Sequence, residues 1–133
     1  MDITIFKKMK AKPQCTAAVF YAPENYPMSP EMVWDSDDQV DFVHLFIESL
    51  EHFAERFPQA AKAHKDTGLF WISYPKSRGK LKYDINRDIL WQLLLSVGFH
   101  PVAQVSLNDD WSAVRVKKNE EGVVYERPGN VKR

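Results

Sequence analysis

The sequence predicts an α/β fold: an open, mostly parallel sheet flanked by helices and ending in an antiparallel strand hairpin. Three observations carry this. Val40 to Ile47 and Leu69 to Tyr74 are apolar runs of strand length, the second almost continuously apolar, as a strand covered on both faces requires. The segment 85–97 repeats Ile85, Ile89, Leu93 and Val97 every four residues, the spacing of one helix face. Asn108-Asp109-Asp110 then joins two further strand candidates through turn-forming side chains. Strands alternating with helices, closed by a hairpin, give a sheet of mostly parallel strands with one antiparallel strand near its edge.

Taken in order, residues 3–12 place Ile3, Ile5, Phe6 and Met9 among four lysines, a spacing that predicts a short amphipathic helix stopping before Pro13. Thr16 to Tyr21 reads as the first strand, and Pro23, Pro27 and Pro30 exclude regular structure after it. Met32 to Trp34 is a short strand candidate closing into an acidic turn at 35–38. Glu48 to His64 carries a helical pattern in Leu50, Phe53, Ala54 and Phe57, in which Pro58 either kinks the helix or opens a second one. Asp66-Thr67-Gly68 reads as a turn before the strand Leu69 to Tyr74. Asp84 is placed to cap the start of the 85–97 helix and Gly98 its end. Val102 to Leu107 and Trp111 to Lys117 form the hairpin. Residues 1–118 are expected to make one α/β domain, with 119–133 a polar tail, disordered or pairing through Val123 to Tyr125 as an edge strand.

The chain has 133 residues, enough to bury roughly two thirds of its unfolded surface in one core. Eighteen Lys and Arg balance eighteen Asp and Glu, so no global field drives attachment to nucleic acid or an anionic membrane. Lysines interrupt the apolar start at Ile3 to Phe6, against a signal peptide, and no apolar run reaches the roughly 18 residues of a membrane span, so a cytoplasmic protein is expected. A lone cysteine, Cys15, excludes an intrachain disulfide and a multi-cysteine zinc site.

The run LFWISYPK at 69–76, DINRDILW at 84–91 and VSLNDDWSAVR at 105–115, with Ala22-Pro23-Glu24 after the first strand and Asp-Phe-Val within Val40 to Ile47, resemble a family of small bacterial proteins of unknown function. The likeness covers about residues 3–117. It implies a cut-down, methyltransferase-like Rossmann fold whose last two strands are the antiparallel hairpin. Ala-Pro-Glu-Asn follows Tyr21 where glycines would let backbone approach a cofactor, and Pro23 removes an amide donor. No cofactor is therefore predicted, and S-adenosylmethionine is doubtful on this reading.

Candidate site residues follow from position and charge. Lys76, Arg78, Lys80 and Lys82 crowd the segment between a buried strand's carboxyl end and a helix start, the usual ligand edge of an open α/β sheet, where free amides add positive potential. Glu24, Asn25, Tyr74, Asp84 and Trp111 fall on the same predicted edge. Gly79-Lys80 lacks the earlier glycine and following Ser or Thr of a P-loop. Asp35, Asp37 and Asp38 read as a solvated turn, and the four histidines lack paired ligand spacing, so no metal site is predicted. His44, inside an apolar strand, reads as a hydrogen-bonded core histidine. Neither Ser73 nor Ser112 lies in a nucleophile elbow, and Cys15 reads as a small buried residue.

The leading functional expectation is a non-catalytic or ligand-sensing module that recognises an anionic small molecule or a protein partner at the edge formed by 22–26, 74–82 and 108–112. The alternatives are a small-molecule enzyme using Lys76 or Arg78 to stabilise negative charge, with Glu24 or Asp84 as acid/base, and nucleic-acid contact through the basic segments.

Overall fold

The computed structural model describes residues 1–35, 39–77 and 83–125. Its elements run α1 (Ile5–Lys8), β1 (Thr16–Phe20), β2 (Val33–Trp34), β3 (Val40–Phe46), α2 (Leu50–Ala63), β4 (His64–Pro75), α3 (Arg87–Ser96), β5 (Phe99–Ser106) and β6 (Trp111–Lys118). The six strands form one sheet in the order β2-β1-β3-β4-β6-β5. β1 to β4 are mutually parallel, and β6 runs antiparallel to both β4 and β5, as the sequence predicts.

Side-chain alternation along β3 divides the core into two layers. Val43 and Leu45 face α2 and α3, packing with Phe53, Phe57, Phe70, Ile72, Leu90 and Leu94. Phe42 and Phe46 face the other way, against Trp71, Tyr26, Ile5, Phe6 and Met9. That second face is covered by irregular chain rather than long helices. Four residues of helix are too few to persist alone. α1 is instead held by burial of Ile5, Phe6 and Met9 and by the Trp71 indole, whose Nε1 donates to the Met9 carbonyl at 3.0 Å. Each such apolar side chain contributes about 1.5–3 kcal/mol.

The helix predicted over 3–12 is cut to 5–8 because the chain turns left-handed at Lys10, φ 62°. There the Ala11 N–H donates to Phe6 O and the Lys10 N–H to Lys7 O, closing the helix with a Schellman motif. Pro58 neither starts a second helix nor ends the first, since α2 runs through it. Ser49 caps α2 by accepting from the His52 N–H at 3.1 Å. Asp84 does not cap α3. Its Oδ1 accepts from the Leu50 N–H at the start of α2, at 3.0 Å, and Asn86 caps α3 through the Ile89 N–H at 2.9 Å. Gly98, φ 83°, ends α3 as expected.

Asp66-Thr67-Gly68 is not a turn between elements but lies inside β4. The turn signal has a real counterpart: between the pairs Val40↔His64 and Phe42↔Leu69 the register shifts, so β4 carries extra residues there. The hairpin strands are longer than predicted, and the turn itself is built by Asn108, whose Oδ1 accepts from the Asp110 and Trp111 N–H groups at 2.8 and 2.9 Å. Val123 to Tyr125 do not form a strand, and Tyr125 stacks on His100 with centroids 3.9 Å apart.

Candidate functional site

The strand order contains a reversal. From β1 the chain moves outward to β2, then returns to place β3 on the opposite side of β1. The two chain directions leave a crevice at the carboxyl ends of β1 and β3, which is where open α/β sheets bind ligands. A cavity of about 320 Å³ lies there, lined by Tyr21, Ala22 and Pro23 after β1, Phe46 and Glu48 at the end of β3, Arg56 from α2 and Trp111 at the start of β6.

Local structure explains each wall. Tyr21 has φ 61°, a left-handed conformation that costs a non-glycine residue about 1–2 kcal/mol and turns the chain sharply out of β1. Tyr21 is held from two sides: the Arg56 guanidinium carbon lies 4.2 Å from its ring centre, and its hydroxyl accepts from Gln59 Nε2 at 2.7 Å. Arg56 is itself tethered, donating to the Phe46 carbonyl at 3.2 Å. Trp111 packs edge-on against Phe46 with ring centres 4.9 Å apart, so it both supports the sheet face and lines the cavity. The result is a crevice with aromatic walls, one carboxylate and one guanidinium.

Beneath Phe46 lies a buried polar chain. The Tyr26 hydroxyl is 3.0 Å from His44 Nδ1, and His44 Nε2 is 2.6 Å from Ser73 Oγ. Burial lowers the His44 pKa to about 3 and pushes the Tyr26 phenol far above its ordinary range, so both groups are neutral. A neutral imidazole donates at one ring nitrogen and accepts at the other, which satisfies the whole chain. His44 is thus the core histidine the sequence predicts. Its consequence for the site is that Tyr26 fastens the segment after Pro23 to the sheet.

Of the sequence-predicted site residues, Trp111 reaches the cavity. Lys76 donates through Nζ to Ser106 Oγ at 2.6 Å and through its backbone N–H to Asp110 O, bracing the hairpin turn. Glu24 and Asn25 are exposed, and the Asn25 carbonyl accepts from the N-terminal amine at 3.1 Å. Tyr74 is buried, its hydroxyl accepting from Gln104 Nε2 at 3.2 Å, while Asp84 serves α2. Arg78, Lys80 and Lys82 lie outside the described residues, as do Asp37 and Asp38. Tyr21, Phe46, Glu48 and Arg56 were not singled out by sequence. The ends of β1 and β3 were visible there, but which strands flank the reversal was not. Among the described residues no three His, Cys, Asp or Glu side chains gather as a metal site, and no helix is long and apolar enough to cross a membrane.

The six-stranded sheet with its antiparallel last pair is the methyltransferase-like Rossmann fold. No family model matches the sequence, and no curated protein matches it significantly. Solved structures do. DhpI in complex with SAH aligns over 87% of this chain and 82% of its own at 7% identity, TM-score 0.58. The Burkholderia thailandensis 1,6-didemethyltoxoflavin-N1-methyltransferase, with bound 1,6-didemethyltoxoflavin and S-adenosylhomocysteine, aligns over 87% and 75% at 10% identity, TM-score 0.57. A ribosomal protein L11 methylase from Lactobacillus delbrueckii subsp. bulgaricus aligns over 89% and 76% at 11% identity, TM-score 0.54.

These findings correct the expectation that no cofactor is implied and that S-adenosylmethionine is doubtful. Proteins of this fold hold S-adenosylhomocysteine. The argument from missing glycines also fails on geometry. The left-handed turn a glycine would supply is made by Tyr21, and Ala22 and Pro23 border an open cavity rather than fill it. The donor set suits such a ligand: the Trp111 ring for a purine, Glu48 for an ammonium or ribose hydroxyls, and Arg56 for a carboxylate.

Proposed function

We propose that this chain binds an S-adenosyl ligand in the crevice between the carboxyl ends of β1 and β3, as a small protein of the methyltransferase-like class. The observation that carries the reading is the coincidence of that cavity with the reversal in strand order. Trp111 would hold the adenine, Glu48 the ribose diol or the amino group, and Arg56, held against Tyr21, the carboxylate. The anion expected from the sequence is, on this reading, the amino-acid carboxylate of the ligand, met by Arg56 rather than by the lysines after β4. S-adenosylmethionine, when bound, supplies an electrophilic methyl group on a sulfonium. The chain's own part is to orient the ligand and exclude water from it.

The test is a thermal-shift series with S-adenosylhomocysteine, S-adenosylmethionine, adenosine, nucleotides and phosphosugars, confirmed by calorimetric titration. A ligand at a hundredfold excess over its Kd stabilises the fold by about 2.7 kcal/mol, well within reach of the measurement. A saturable rise with the two S-adenosyl compounds is expected, absent in Ala22→Trp, which fills the cavity. A rise with phosphosugars alone would replace this reading with an anion sensor, and silence across the series would remove it.

A further inference from the structure

A second cavity, of about 240 Å³, lies on the other side of the molecule's sheet order, where α3 crosses the edge strand β5. Leu90, Leu94 and Val114 make it apolar, Trp91 and the segment Pro101 to Gln104 wall it, and Arg87 stands at its border. Two observations mark it as more than a packing gap. The Trp91 indole Nε1 is buried without a hydrogen-bond partner, and a buried donor in a native fold nearly always has one. The β5–β6 register also shifts between Pro101 and Ala103, so the wall is a bulge, a device that re-aims side chains beside functional sites.

We infer that this cavity is a binding site for a small planar aromatic carboxylate. The apolar floor takes the ring, and the volume exceeds the roughly 150 Å³ that admits benzene in an engineered cavity, leaving room for a bicyclic system. The Trp91 indole, whose N–H has no acceptor within the fold, offers its ring as one wall of the cavity. Arg87 supplies a guanidinium fork whose ion pair among the described residues is a loose one to Asp88, 3.6 Å, with both side chains more than half exposed. Such a fork matches a carboxylate in two parallel hydrogen bonds. The site is separate from the crevice at Tyr21 and shares no lining residue with it.

The experiment is an NMR titration with indole-3-acetate, following the indole N–H resonances, that of Trp91 being assigned with Trp91→Phe. Saturable movement of the Trp91 resonance, with that of Trp111 unmoved, is expected. Arg87→Gln, a surface change that leaves the fold intact, should weaken binding about tenfold, and Gln104→Trp, opposite Val114 on the face toward α3, should abolish it by occupying the cavity. The uncharged indole-3-ethanol should bind the wild type about as weakly as indole-3-acetate binds Arg87→Gln. Three results overturn the inference: a Trp91 resonance that does not move at millimolar indole-3-acetate, movement of Trp111 instead, or equal affinity in Arg87→Gln and the wild type.

Discussion

His44 Nε2 and Ser73 Oγ lie 2.6 Å apart in the interior, joining adjacent strands β3 and β4 through a histidine that has no exposed surface. Loss of solvation lowers the imidazole pKa from the ordinary 6.5 to about 3. In the unfolded chain it returns to about 6.5, so between these values the unfolded state binds a proton that the folded state refuses. The contribution is fully present above pH 6.5 and is lost as pH falls through the window, about 2 kcal/mol between pH 7 and pH 5. His64 adds to the loss in the same direction, since burial first, and then Arg115 and Lys118, lower its pKa against the opposing Asp66. Urea unfolding at the two pH values should show the acid loss in the wild type and a smaller one in His44→Gln. An unchanged pH dependence in that variant would exclude His44 as its source.

Gly68 sits where β4 passes closest to β3. A methyl group there would stand 2.7 Å from the Asp41 carbonyl oxygen, a backbone atom that moves only with its strand. Gly68→Ala should therefore cost about 1–3 kcal/mol in chemical denaturation. A neutral result would mean that the register shift between Val40 and Phe42 is soft enough to absorb the atom.

The opposite sign is expected at Lys10. Its φ of 62° is the position after a helix where glycine is preferred, and the side chain is exposed. Lys10→Gly should raise stability by about 1 kcal/mol, visible as a higher urea midpoint with the same slope.

At the crevice, Glu48→Gln keeps shape and removes charge, and Arg56→Lys keeps charge and removes the fork. Each should weaken S-adenosylhomocysteine about tenfold, roughly 1.4 kcal/mol, in calorimetric titration. Glu48 is exposed, so the urea midpoint of Glu48→Gln without ligand should match the wild type. Unaltered affinity in both variants would place the ligand elsewhere.

Much of the fold was readable because its signals are local. Val40 to Ile47 alternates for a sheet whose two faces are both covered, and Asn108 carries its own turn. The recurrence from Ile85 marks α3 as a helix, but its buried positions are Leu90 and Leu94, and Val97 is exposed. Boundaries failed where a distant partner intervened. α1 stops at a left-handed Lys10, and Asp84 is taken from α3 by Leu50, 34 residues away.

Periodicity and turn chemistry by themselves determined that this chain makes a parallel sheet with helices and a closing hairpin, and that His44 belongs inside it. The site was decided by tertiary structure. Phe46 and Trp111 are far apart in sequence and meet only because β4 lies between β3 and an antiparallel β6. The crevice exists because strand order reverses at β1, and Tyr21 turns left-handed beside it under the hold of Arg56 and Gln59. Local propensity assigns glycine to such a turn. Contacts from another element supplied the energy that let a tyrosine occupy it.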